Sequence, residues 1–146
     1  MRPRAVALIG TALLALSACG AGADTGASST AVTSPTPDPA TRPASPATVG
    51  IVQPACGSQS TSGTTLHVVV SVVGATIVKT TTTHIVPTEG HVHLYLDDNL
   101  TYMNYTLVQD IPVHPGTYKL KAEFVASDHF PFNPRVFSPT LVCTVT

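Results

Sequence analysis

The sequence predicts an all-β protein: an antiparallel β-sandwich, immunoglobulin-like, preceded by an export leader and a disordered linker. Three observations predict it. First, the chain is rich in Thr, Val, Ala, Ser and Pro, while charged residues are only 10% of its 146 positions; β-branched residues suit a pleated, half-buried surface. Second, no long stretch after the leader repeats apolar residues at helical spacing, whereas short apolar or alternating runs recur between turn residues. Third, Cys56 and Cys143 frame the region that carries those runs.

The leader comes first. Met1-Arg2-Pro3-Arg4 precedes a mostly apolar run over residues 5–16, the charged and apolar regions of a secretory signal. That run is too short to span a bilayer, which needs about 20 apolar residues. It ends in Leu16-Ser17-Ala18-Cys19, which resembles the lipobox of bacterial lipoproteins. In such a motif small residues let an extended chain enter a peptidase, the cysteine thiol takes diacylglycerol, and the same residue carries a further acyl chain such as palmitate on its freed amino group. Residues 1–18 are therefore expected to be a lipoprotein signal peptide and Cys19 the lipidation site. Two or three acyl chains, at about 0.8 kcal/mol per buried methylene, make such anchoring stable.

Residues 19–50 read as a tether. Between residues 20 and 50 no apolar side chain exceeds valine, and Pro35, Pro37, Pro39, Pro43 and Pro46 recur at short intervals. Such a segment cannot bury enough surface to offset its ordering entropy. Extended at about 3.1 Å per residue, some 30 residues would reach roughly 90 Å, enough for a spacer through a cell wall. The remaining residues, 51–146, leave room for one domain.

Strand signals in that domain are dense. Residues 66–73 are an apolar run interrupted by His67 and Ser71, and Gly74 separates them from a second run over residues 75–83. Residues 91–96 and 100–106 flank Asp97-Asp98-Asn99, a short hairpin turn. With Asp98-Asn99 as a two-residue turn, Met103 pairs with Leu94 on the core face. Tyr95 and Tyr102 then oppose each other on the outer face, and Tyr105 points to the core. A one-residue slip reverses all of these. Pro115-Gly116 turns the chain into residues 117–126, where Tyr118, Leu120, Ala122 and Phe124 alternate with Lys119, Lys121 and Glu123. Pro131 and Pro134 interrupt the chain, and Pro139 delays the last strand to residues 140–145. With Cys19 acylated, Cys56 and Cys143 are left as an even pair in an oxidising compartment, and a disulfide is expected. It would stabilise the domain by roughly 4.6 kcal/mol in the chain-entropy model.

Three stretches carry a family resemblance: Pro-Thr-Glu-Gly-His-Val-His-Leu-Tyr-Leu-Asp-Asp over residues 87–98, Pro115-Gly116-Thr117-Tyr118, and Asp128-His129-Phe130-Pro131-Phe132. Together they resemble a group of small, uncharacterised secreted and lipid-anchored bacterial proteins, actinobacterial in style. That group shares a His-x-His-Leu strand, a Pro-Gly turn and an Asp-His-x-Pro loop. The resemblance covers about residues 66–146; it implies a β-sandwich and brings no established activity.

Candidate chemistry centres on histidine. His91 and His93 lie two apart in a strand and so share a face, opposite Val92, Leu94 and Leu96. Joined by His129, they could hold copper or zinc, with Asp128 as a ligand or an acceptor behind one. The alternative is that the histidines are partly exposed strand residues making structural hydrogen bonds. Met103, a soft copper ligand by chemistry, belongs to the core in the register above. Tyr95 and Tyr102, with Phe130 and Phe132, could form a recognition surface for sugars or peptides. No Gly-x-Ser-x-Gly elbow, phosphate-cradling glycine loop or His-Glu-x-x-His is present, so no catalytic residue is assigned. A net charge of −1 without clustered Lys and Arg excludes a nucleic-acid face. The expectation is a non-enzymatic binding or structural domain, lipid-anchored on the extracytoplasmic face of the cell membrane. Its expected partners are the membrane and a cell-wall polymer or envelope protein, with copper or zinc binding as the alternative role.

Overall fold

The computed structural model describes residues 36–56 and 63–146. The expected signal peptide, Cys19 and the expected tether up to residue 35 lie outside the described residues. Among the described residues, nine strands follow one 3-10 turn at Pro39–Thr41: β1 (Thr48–Gln53), β2 (Thr65–Val73), β3 (Thr76–Ile77), β4 (Glu89–Leu96), β5 (Asn99–Asn104), β6 (Val108–Pro112), β7 (Gly116–Ala126), β8 (Pro131–Phe137) and β9 (Leu141–Val145). No helix among the described residues is long and apolar enough to cross a membrane.

One sheet has the order β1-β2-β6; the other is six-stranded and is built on the antiparallel pair β4-β7. β3 and β5 pair with successive parts of β4, while β9 and β8 pair with successive parts of β7. Only the two-residue strand β3 runs parallel to its neighbour. Leu66, Val68 and Val70 from one sheet meet Val92, Leu94, Leu120, Ala122 and Phe124 from the other in a single buried core. This is the expected sandwich, and its crossing connections are immunoglobulin-like. A tyrosine corner marks the start of β7: Tyr118 donates its hydroxyl hydrogen to the His114 carbonyl at 2.8 Å and accepts from the His114 N–H at 3.2 Å. Cys56 and Cys143 are disulfide-bonded with Cα atoms 4.9 Å apart, tying the segment after β1 to β9.

Four sequence expectations need correction. The folded unit begins before residue 51: β1 starts at Thr48, and residues 36–47 pack onto the domain because Arg42 bonds to the loop between β7 and β8. The run over residues 75–83 contributes only Thr76 and Ile77 to a strand. Beyond Val78, whose N–H donates to Gly90 O, the threonines pass to the outer side of the six-stranded sheet. A strand forms through Pro131 and Pro134, since β8 lies at the edge, where a missing N–H costs no ladder bond. It buries Phe132, which stacks on Phe124 with centroids 5.6 Å apart and so belongs to the core, not to a recognition surface.

The fourth correction is the hairpin register. The turn is Asp97-Asp98, both residues left-handed (φ 51° and 64°), as a two-residue turn between twisted strands requires. Leu96 pairs with Asn99 and Tyr95 with Leu100; then Leu94 pairs with Tyr102, which leaves Thr101 as an extra residue in β5. That bulge exchanges the faces. Tyr102 packs against the core, Met103 stands opposite His93 on the outer face, and Tyr105 follows on the histidine side.

Candidate metal centre

His91 and His93 project from the outer face of β4, and in β7 they are paired with Val125 and Glu123. An outer face of an antiparallel sheet ordinarily meets water on alternate residues. Here Gly90 to Leu94 are buried without interruption, and so are Ala122 to Ala126. The reason is a roof. The loop after β3 crosses this end of the sheet: Thr82 N–H donates to Ser127 O, and Thr81 reaches His129 and Tyr105 through its hydroxyl. The expected partial exposure of the histidines is therefore replaced by near-complete burial, 0% for His91 and 4% for His93.

His129 completes the group from the turn between β7 and β8. Its backbone is left-handed (φ 69°), a conformation that disfavours any residue with a Cβ. Flanking bonds enforce it: His129 N–H donates to Ala126 O, and Ala126 N–H donates to Phe130 O. Its neighbour Asp128 is gripped by Arg42, whose guanidinium donates to both carboxylate oxygens at 2.6 and 2.8 Å and to the carbonyls of Phe130 and Pro131. Burial pushes the Asp128 carboxyl up, but the hydrogen bonds and charge of Arg42 outweigh it and hold it below its ordinary value. Asp128 is thus a structural anchor for the loop; with both oxygens committed, it is not one of the converging donors.

The three rings come together closely. His91 Nε2 and His129 Nδ1 share a hydrogen bond of 2.8 Å, and His129 Nε2 meets Thr81 Oγ1 at 3.1 Å and the Tyr105 hydroxyl at 3.2 Å. One nitrogen from each of His91, His93 and His129 lies within 4.8 Å of the others. Two ring nitrogens of this group, His91 Nδ1 and His93 Nε2, are buried with no hydrogen-bond partner. Leaving such an atom unmatched costs about 1–3 kcal/mol, so its persistence calls for an explanation. Burial, helped by His129 and by His93, lowers the pKa of His91 to about 4. Burial does the same for His93, against the raising influence of Glu123. Both rings are therefore neutral at pH 7, with the lone pairs a metal needs.

Beside His93, Glu123 is fully buried and carries its own partners. Arg135 donates to its two oxygens at 2.7 Å each, and Tyr95 donates to Oε2 at 2.7 Å. Burial and the Glu123 hydrogen bond push the Tyr95 hydroxyl up to about 12. Tyr95 is thereby committed to an ion-pair network rather than to an open tyrosine face. Separately, a cavity of about 350 Å³ lies against Pro37, Pro39, Arg42, Phe130, Phe132 and Arg135 and touches none of the three histidines.

Thr81, Tyr105, Arg42, Glu123 and Arg135 shape this site and were not assigned to it from sequence. Arg42 carried the one available signal, the lone cation of a Pro-rich stretch whose other charges are Asp24 and Asp38. Its side chain is 7% exposed and that of Asp128 13%, so Arg42→Ala strands a nearly buried carboxylate. We expect that variant to lose about 2–3 kcal/mol in urea unfolding, with Arg42→Lys recovering only part because an ammonium cannot reproduce the paired contact. An Arg42→Ala variant within about 0.5 kcal/mol of the parent would show that the clamp does not hold the loop.

Among solved structures, the chain is similar to the fibronectin(III)-like modules of Clostridium thermocellum CbhA, at 26% identity and a TM-score of 0.49, over 66% of this chain and 93% of that one. No protein-family model and no curated protein matches the chain.

Proposed function

We propose that this chain is a non-enzymatic binding protein, lipid-anchored through Cys19 on the extracytoplasmic face of the membrane, whose domain binds one transition-metal ion through His91, His93 and His129. The observation that carries the reading is convergence without satisfaction: donor nitrogens from three rings within 4.8 Å, and two buried ring nitrogens with no partner. A copper or zinc ion takes imidazole nitrogen and would give such atoms the partner that the protein does not. The disulfide fits an oxidising compartment, in accord with the leader and the lipobox-like Cys19. Binding is favoured over catalysis because His91 and His93 are covered, with the loop after β3 lying over them. Recognition through an outer tyrosine pair loses its support, since Tyr102 and Phe132 pack in the core.

The test is titration of the purified protein carrying Cys19→Ser, which removes the thiol outside the disulfide. With Cu(II), Cu(I) or Zn(II), one equivalent should bind. His91→Ala/His93→Ala should lower the affinity at least 100-fold while near-ultraviolet circular dichroism stays native. Equal binding by both proteins, or none by the parent, refutes the reading.

A further inference from the structure

We infer that the metal is copper, taken as Cu(I), and that Met103 supplies a fourth, thioether ligand beside the three imidazoles; this rests on the three-histidine reading above. The bulge at Thr101 is what places Met103. It is paired with His93 across β4 and β5 and so stands on the histidine side of the sheet. Directly opposed residues on one face have Cβ atoms about 4.5–5.5 Å apart, within reach of a flexible methionine. Met103 is 56% exposed and is not part of the core, so packing does not explain a large apolar side chain at this position. Its neighbour across the strand pair ends in an imidazole nitrogen that is buried and unpartnered, His93 Nε2.

The rest of the donor set adds no hard ligand. The nearby carboxylates, Asp128 and Glu123, are each held at both oxygens by an arginine. The thiols of Cys56 and Cys143 are joined to each other. What remains for a metal is three imidazole nitrogens and one thioether sulfur. Thioether is a soft ligand that selects Cu(I), whereas zinc is held by imidazole, thiolate and carboxylate. The positions also divide the work: His91 and His93 form the covered floor, while half-buried His129 and exposed Met103 stand at the rim, where an ion would enter.

The experiment compares the Cys19→Ser protein with the same protein carrying Met103→Leu. Cu(I) is supplied without oxygen, with a non-thiol reductant and a competing chromophoric chelator, and Zn(II) is titrated in parallel. Leucine keeps the volume at an exposed position, so the thermal midpoint should not move. Cu(I) affinity should fall ten- to a hundredfold in the variant while Zn(II) affinity stays within about twofold. X-ray absorption should show one sulfur neighbour of copper in the parent and none in the variant. Unchanged Cu(I) affinity with no sulfur neighbour in the parent overturns the role of Met103 and leaves the three-histidine site standing. Failure of the parent to bind either metal overturns both.

Discussion

Gly90→Ala should abolish the native fold. Gly90 pairs with Ala126 in β7 and with Ile77 in β3, immediately before His91. A Cβ built at residue 90 would lie 1.9 Å from the Val125 carbonyl oxygen and 2.9 Å from Phe124 Cζ. The first is a backbone atom of a strand that β4 and β8 hold on either side, so it cannot step away without breaking the ladder. Ordinary overpacking costs about 1–3 kcal/mol because side chains can shift. A clash with fixed backbone exceeds that, and we expect more than 4 kcal/mol, comparable with the whole stability of a small domain. Gly50→Ala is the contrast: its Cβ would meet the Ser71 hydroxyl at 2.9 Å, and a rotamer change removes the clash. Urea unfolding should place Gly50→Ala within about 1 kcal/mol of the parent and find no cooperative transition in Gly90→Ala. A cooperative Gly90→Ala transition within about 1 kcal/mol would mean that β4 and β7 are not packed this closely.

Gly90 also shows where sequence reasoning stops. Nothing local marks it, since its conformation is ordinary and only a neighbouring strand forbids a side chain there. The alternation from Leu120 to Phe124 was legible because one buried face demands a period of two. The cysteine pair was legible by counting. The hairpin register was not, because Asp97-Asp98-Asn99 offers two overlapping two-residue turns and one extra residue in β5 reverses every face beyond it. That single ambiguity moved Met103, Tyr102 and Tyr105 to the wrong sides. The histidine trio was visible as a residue type with a spacing, but its burial was not. The roof comes from a threonine run whose composition reads as strand, and from contacts spanning 38 to 48 positions of chain. Arg42 lay in a segment that looks unable to fold by itself. It is ordered by a carboxylate 86 residues away, a partner that composition cannot reveal.

The buried histidines set the second large effect, a loss of stability in mild acid. In the unfolded chain His91 and His93 take protons near 6.5; in the fold both pKa values are lowered to about 4. The unfolded state therefore binds more protons throughout that interval, and stability rises with pH across it and falls as pH drops from 6.5 towards 4. Each ring contributes a slope approaching about 1.4 kcal/mol per pH unit, so the pair approaches about 2.7. The surroundings agree with that sign. His129 lies against both rings and Arg135 beside His93, and each disfavours a positive charge there. Asp128 and Glu123 oppose them but are already neutralised by Arg42 and Arg135. The Asp128 carboxyl, held below its ordinary value, keeps its contribution until the pH falls beneath 3.8 and so cannot account for a loss at higher pH. Urea titrations of the metal-free protein at pH 7, 6, 5 and 4.5 should show the midpoint falling steeply below pH 6, with about 4 kcal/mol gone by roughly pH 4.5. His91→Asn/His93→Asn should flatten the profile even though it is less stable at pH 7. One equivalent of bound metal should shift the whole acid transition downward, because a ligated nitrogen cannot take a proton and the unfolded chain holds no preformed site. A midpoint that stays level from pH 7 to 5 without metal would mean that the two rings are hydrated in solution, and the roof over β4 would then have to be open.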